Sequence, residues 1–215
     1  MAAYVIYADR TEDEASGNYG FANDILDGDF KSAFPVGIEF HPKTRGARLE
    51  DGTRIRESAQ YQGLPVDMSG LPKRVRWGGG KRPLVDLLIT QNHFLVSEKL
   101  QDAIEALESG VHQFQSTKLI WQDDSLAATY FWLNVCNRRD AMDREYTTYS
   151  FDERTRRWNL ASKGKFVVSL SQTAGAHIWV DSCLTTGTIF VSEGFKIAMT
   201  AAGITGIGYS DYETV

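Results

Sequence analysis

An α+β fold built on a mostly antiparallel sheet is what this sequence predicts, and three observations carry the prediction. Strand-like runs outnumber helical ones and do not alternate with helices one for one, as a parallel βαβ sheet requires. Two helices follow the same punctuation, an apolar run ending in Val-Ser-Glu, at Val96-Ser97-Glu98 and again at Val191-Ser192-Glu193. Two long strand-like runs, Val111 to Trp121 and Ala127 to Val135, flank Gln122-Asp123-Asp124-Ser125, whose residue types favour a turn, so the pair reads as a hairpin.

Taken in order, Tyr4 to Tyr7 is a short β-type run and the first expected strand. Residues 10–33 are polar and rich in Gly and Asp, a long loop with one turn of helix expected near Phe21 to Leu26. Phe34 to Phe40 alternates like a strand, held to an edge or a strand start by Pro35. Residues 41–82 are low in apolar content and rich in Gly and Arg, so loops with brief strands are expected. Trp77-Gly78-Gly79-Gly80-Lys81-Arg82-Pro83 reads as a flexible hinge, with a soft boundary near residue 80. Residues 1–80 then form a loop-rich N-terminal region and residues 81–215 the core, in one compact domain overall.

The stretch from Leu84 to Val111 is the organising segment. Leu84 to Ile89 is short enough for a buried strand. Ser97 suits a helix N-cap, since its hydroxyl can accept from an unpaired amide of the first turn. Glu98 follows where the helix dipole favours a negative charge. Leu100, Ala103, Ile104 and Leu107 recur at i, i+3, i+4, i+7, one face of a helix that Gly110 stops. Near the end of the chain Ser192, Phe195, Ala198, Met199, Ala202 and Gly203 repeat the pattern, and Ile204 to Tyr209 leads out. The match is either two corners that solve one capping problem or an internal duplication. After the central hairpin, Arg138 to Arg144 is a charged connection. Tyr146 to Phe151 and Arg156 to Leu160 form a second hairpin, and Phe166 to Leu170, Ala176 to Val180 and Thr188 to Val191 are short strands.

Composition narrows the class. Apolar residues make up 42% of 215, enough for a sizeable core. No run reaches the roughly 18 apolar residues that a membrane-spanning helix requires. The first nine residues lack the basic start and long apolar stretch of a secretory signal, so a cytoplasmic protein is expected. Cys136 and Cys183 lack metal-ligand spacing and read as buried thiols rather than a disulfide. Net charge is −5 and unevenly spread: −6 over residues 1–30, +6 over 31–82 and −5 over 83–215.

Reactive constellations are scarce in this sequence. Gly78-Gly79-Gly80-Lys81 is not a phosphate-cradling loop, because Val75 stands where that loop needs Gly and Arg82 where it needs Ser or Thr. No Gly-x-Ser-x-Gly elbow is present. His41, His93, His112 and His177 are scattered, without the i, i+4 spacing of a helical zinc site. Asp123-Asp124 and Asp152-Glu153 sit at predicted turns, where acids serve turn hydrogen bonds. Arg154, Arg156 and Arg157 beside Trp158 are basic and aromatic, but an acidic chain with one such cluster is a poor single-strand binder. No cofactor, metal site or direct nucleic-acid partner is expected. The best acidic pair is Asp140 and Asp143, which with His177 would form an enzyme site only if they converge in one polar cleft. A small-ligand sensor is a third possibility if the aromatic-rich sheet encloses a cavity.

Several of these segments, in order, resemble one family. They are Leu95-Val96-Ser97-Glu98-Lys99-Leu100 with Gly110-Val111-His112-Gln113-Phe114, then Tyr130-Phe131-Trp132-Leu133-Asn134-Val135 with Asp140-Ala141-Met142-Asp143, then Ile189-Phe190-Val191-Ser192-Glu193 with Ala202-Gly203-Ile204-Thr205-Gly206-Ile207. The set is similar to the eleventh catalogued immunity-protein family of bacterial polymorphic toxin systems, over roughly residues 80–210. The resemblance implies a cytosolic antitoxin that binds a cognate toxin and blocks it without catalysis of its own. It also implies partners of more than one chemistry, nucleases among them, and no catalytic residues. For an inhibitor working through its surface, the candidate contacts are the acidic residues Glu12, Asp13, Glu14, Asp24, Asp27 and Asp29, and the hairpin tip Asp123 and Asp124.

Overall fold

The first strand shows how the chain closes on itself. Ala3–Ala8 (β1) lies between two strands from the far end of the sequence, Ile189–Ser192 (β15) and Ile207–Thr214 (β16), antiparallel to both. This computed structural model describes residues 2–9, 23–39, 41, 46–56, 61–161, 163–184 and 186–215. Ile178–Asp181 (β14) continues the sheet beyond β15, and Arg138–Arg139 (β10) closes that side as a parallel edge. Val167–Val168 (β13) pairs in parallel with β16 at the other side. The order of this terminal sheet is β10-β14-β15-β1-β16-β13.

A second six-stranded sheet, the central sheet, runs Asp24–Ile25 (β2), Arg74–Arg76 (β5), Gln113–Ile120 (β8), Leu126–Asn134 (β9), His93–Val96 (β7) and Leu87–Thr90 (β6). Only β5 with β8 is parallel among these pairings. Two small hairpins complete the described strands, Gly46–Arg48 (β3) with Arg54–Arg56 (β4), and Ser150–Asp152 (β11) with Arg157–Asn159 (β12). The molecule is thus α+β with mostly antiparallel sheets.

Period-2 alternation explains how β8 and β9 are buried. Leu119, Tyr130 and Trp132 point into a core with Ala33, Val66, Met68 and Leu71 of the N-terminal loops. Phe114, Phe131 and Leu133 belong to the opposite face, which packs on the helices and on Tyr4, Ile178 and Val191 of the terminal sheet. That face is covered only at one end: Ser116, Lys118, Leu126 and Thr129 are exposed. A third core, with Met142, Trp158, Trp179 and Phe190, lies on the far side of the terminal sheet.

The helices are Glu98–Leu107 (α1) and Glu193–Ala201 (α2). Ser97 Oγ accepts from the Leu100 amide and Ser192 Oγ from the Phe195 amide, both at 3.1 Å. Leu100 and Ile104 of α1 and Phe195 and Met199 of α2 are buried, each contributing about 2 kcal/mol by leaving water. The pair is antiparallel. Lys99 at the start of α1 donates to Gly203 O just after α2 (2.5 Å), and Glu108 at the end of α1 accepts from the backbone beside His177, whose ring contacts Ser192.

Several local expectations change. Of the strand expected over Phe34 to Phe40, the described residues 34–39 hold only the bridge from Pro35 to Val66, because Val36-Gly37 turns with Gly37 at φ +78°; Phe40 lies outside the described residues. Near Leu26 the described residues hold β2 rather than a helical turn; Phe21 lies outside the described residues. The buried strand expected from Leu84 starts only at Leu87. Arg138 to Arg144 is not merely a connection, since Arg138 and Arg139 pair with Val180 and Asp181. Trp77 is no part of a loose hinge: it is 2% exposed, and its backbone bonds Ile120 and Gln122. Cys136 and Cys183 are both free, the first half-buried and the second buried.

Candidate partner-binding surface

The charged residues of β5 organise a row of ion pairs at one margin of the central sheet. β5 alternates Arg74, Val75, Arg76, which buries Val75 and turns both arginines to one face. Asp27 lies beside this strand. One of its oxygens accepts from the Lys73 and Arg74 amides (2.6 and 3.1 Å), and the other from Arg74 Nε (3.2 Å). Burial pushes the Asp27 carboxyl up, but these donors outweigh it and hold it below the usual carboxylate range. Asp24 faces Arg76 across the β2–β5 ladder. Arg76 also reaches Asp124 at the tip of the β8–β9 turn, at 2.6 Å. Its neighbour Asp123 accepts from Lys81 Nζ (2.7 Å) and from Ser125 Oγ (2.6 Å), which pull its carboxyl down to about 2.

Two clusters that stand about a hundred residues apart in sequence therefore meet on one margin. Asp24 and Asp124 share Arg76, and Asp27 and Asp123 sit at either end of the row. Asp29 has a local task, accepting from the Lys31 amide to cap the short 3₁₀ turn at Phe30–Ser32. Glu12, Asp13 and Glu14 lie outside the described residues. Sequence reasoning missed the partners: Arg74, Arg76 and Lys81 set a base against Asp27, Asp124 and Asp123. The available signal was the +6 segment that directly follows the −6 segment.

The carboxylate–histidine trio of the enzyme reading is dispersed among other partners. Asp140 is bonded by Arg144 (2.7 and 2.8 Å) and Arg156 (3.3 Å). Asp143 accepts from the Glu145 and Tyr146 amides, and His177 Nδ1 contacts Ser192 Oγ at 2.9 Å. A tighter group, unforeseen from sequence, is Asp140, Asp181 and Cys183, whose ligand atoms lie within 4.8 Å of one another. It is poorly suited to a cation. Guanidinium groups already neutralise Asp140, and both oxygens of Asp181 accept backbone amides, from Ala141, Met142 and Cys183. Burial of Asp181 nonetheless dominates and pushes its carboxyl up to about 6. The aromatic beside the arginine cluster is also committed: Trp158 is buried and packs on Phe151 and Phe166.

The remaining polar interior ties the two sheets together. Glu108 accepts from Asn137 Nδ2 and the His177 amide at one oxygen (both 2.9 Å), and from His112 Nε2 and the Ile178 amide at the other (2.9 and 3.1 Å). Burial pushes Glu108 up, but His112 and the His177 and Ile178 amides hold it below its ordinary value. Asp86 accepts from Ser97 Oγ at 2.6 Å and from the Thr205 amide and hydroxyl at 2.8 and 2.9 Å. Among the described residues, no helix is long and apolar enough to cross a membrane. A model of the immunity protein family Imm11 matches residues 17–214, so it takes in most of the N-terminal stretch that the motifs covered only loosely. No curated protein matches the chain.

Proposed function

This chain belongs to the Imm11 immunity protein family, and on that premise we propose that it neutralises one cognate toxin by stoichiometric occlusion, without chemistry of its own. Membership implies immunity to a toxin. The occluding mode is supported by where the polar groups stand. Asp140, Asp143 and His177 are each held by other partners, and the ion pairs Asp27–Arg74 and Asp123–Lys81 stand at the surface.

The contact surface in this reading is the uncovered end of the β8–β9 face, with Lys118, Thr129 and Leu126, together with the charged row from Asp27 to Asp123. Exposed ion pairs contribute under about 1 kcal/mol each, so a partner can exchange them at little cost. Complementary charge mainly raises the association rate. A toxin that cleaves nucleic acid is the first chemistry to test, because its substrate cleft carries basic groups that acidic side chains match. The toxin is delivered by a secretion route between neighbouring cells, type VI or contact-dependent, and is met in the cytoplasm.

Co-expression with the toxin encoded beside this gene tests the reading: cells survive with this protein and die without it. Killing in both cases refutes it. The surface is tested separately with Asp27→Asn and Asp124→Asn together, which leave Arg74 without its carboxylate and Arg76 facing Asp24 alone. Association with a basic toxin slows about tenfold at low salt and by less at high salt. An unchanged rate removes this surface and leaves the immunity reading intact.

A further inference from the structure

We propose that Asp86 and Glu108 form a two-point latch that fixes the terminal sheet against the central sheet, so that loss of either carboxylate opens the terminal-sheet half as a unit. The geometry is reciprocal. Asp86 joins the start of α1, through Ser97, to the segment just after α2, through Thr205. Glu108 joins the end of α1 to β14 through the His177 and Ile178 amides, and the His177 ring holds the N-cap of α2. The antiparallel helix pair is thus bonded at both ends, by one carboxylate each.

Apolar contact between the halves is non-directional and sets how close they lie. The carboxylates set their register. Their side chains are little exposed, 14% for Asp86 and 10% for Glu108, so water is a poor substitute for the lost acceptor. Lys99 lies 4.0 Å from Asp86, and His112 is the titratable side chain bonded to Glu108. A further backbone bond joins the halves beside the first latch point, from Leu87 N to Thr205 O. An amide in place of either carboxylate turns an NH2 group toward donors and cannot accept all of them.

Hydrogen exchange on the free full-length protein tests the latch, comparing the parent with Glu108→Gln and Asp86→Asn. The expected result is exchange faster by ten- to a hundredfold throughout residues 2–8 and 189–214, with 113–134 unchanged. Equal acceleration everywhere overturns the proposal, because the two halves then open as one. Acceleration confined to the amides of His177, Ile178 and Thr205 also overturns it, because the bonds are then only local. If a variant does not fold, the parent in sub-denaturing guanidinium decides. Separate denaturant dependences for 113–134 and 189–214 support the latch, and a single shared dependence overturns it.

Discussion

Gly28 and Gly110 both adopt the left-handed region, with φ +68° and +69°, yet their surroundings differ. A Cβ on Gly28 would stand 2.7 Å from the Pro72 backbone and 2.8 Å from Gly70 O, whereas nothing lies within 4 Å of one on Gly110. Gly110→Ala should therefore cost only the conformational strain, about 1 kcal/mol, and Gly28→Ala at least about 2 kcal/mol more. Guanidinium unfolding of the two variants measures the difference. Two buried ionisable groups make a second test at this scale. Burial pulls His93 down to about 4 and pushes Asp181 up to about 6. As pH rises from 4 to 6 the folded state keeps the Asp181 proton that the unfolded chain releases, so stability falls. His93 stays neutral when folded but is protonated when unfolded up to about pH 6.5, so it makes stability rise with pH. Each is worth at most about 3 kcal/mol, and they oppose each other. The parent should be nearly flat between pH 4.5 and 6.5. Asp181→Asn should gain stability toward pH 6.5 and His93→Phe should lose it, read as unfolding midpoints at the two pH values. The depressed carboxyls Glu108 and Asp86 lose their contribution only at lower pH, as they protonate.

Elements with strong local signals were legible in the sequence. The caps Ser97 and Ser192, the apolar faces of α1 and α2, and the β8–β9 hairpin all follow from short-range pattern. Elements that depend on a distant partner were not. The polar run Ser210-Asp211-Tyr212-Glu213 has little strand character of its own and becomes strand in β16 by pairing with β1 and β13. Arg138 and Arg139 become β10 because β14 offers an edge. In the reverse sense, Phe34 to Phe40 alternates correctly, yet among its described residues strand pairing is limited to the bridge at Pro35 and the backbone bonds beside it, Val36 N to Pro65 O and Asp67 N to Phe34 O. The candidate surface shows the same division. Its acids were visible, while the arginines that pair with them were not assigned, because nothing local links Asp124 to Arg76. Both serines do more than an ordinary cap, since Ser97 also donates to Asp86 and Ser192 also contacts His177. Ser97→Ala and Ser192→Ala should each lower stability by about 1–2 kcal/mol in urea unfolding, the upper end of the range for a lost cap.

For the whole molecule, closure depends on β1. It pairs on both sides, with β15 and β16, and places Tyr4 and Ile6 in one core and Ala3 in another. Removing residues 2–8 should abolish cooperative thermal unfolding by circular dichroism rather than shift its midpoint, because the sheet is cut between β15 and β16 and both lose their ladders to β1 together. Charge is also organised at this scale. The acidic start and the basic segment after it have opposite signs, and at the margin of the central sheet Asp27 and Arg74 show that pairing directly. In the proposed function this surface of matched charges is where the toxin docks. The most direct test is a titration of the cognate toxin's activity at concentrations well above the dissociation constant. Activity should fall in a straight line and vanish at one equivalent of this protein. Residual activity in excess, or complete loss at a small fraction of an equivalent, would contradict stoichiometric occlusion.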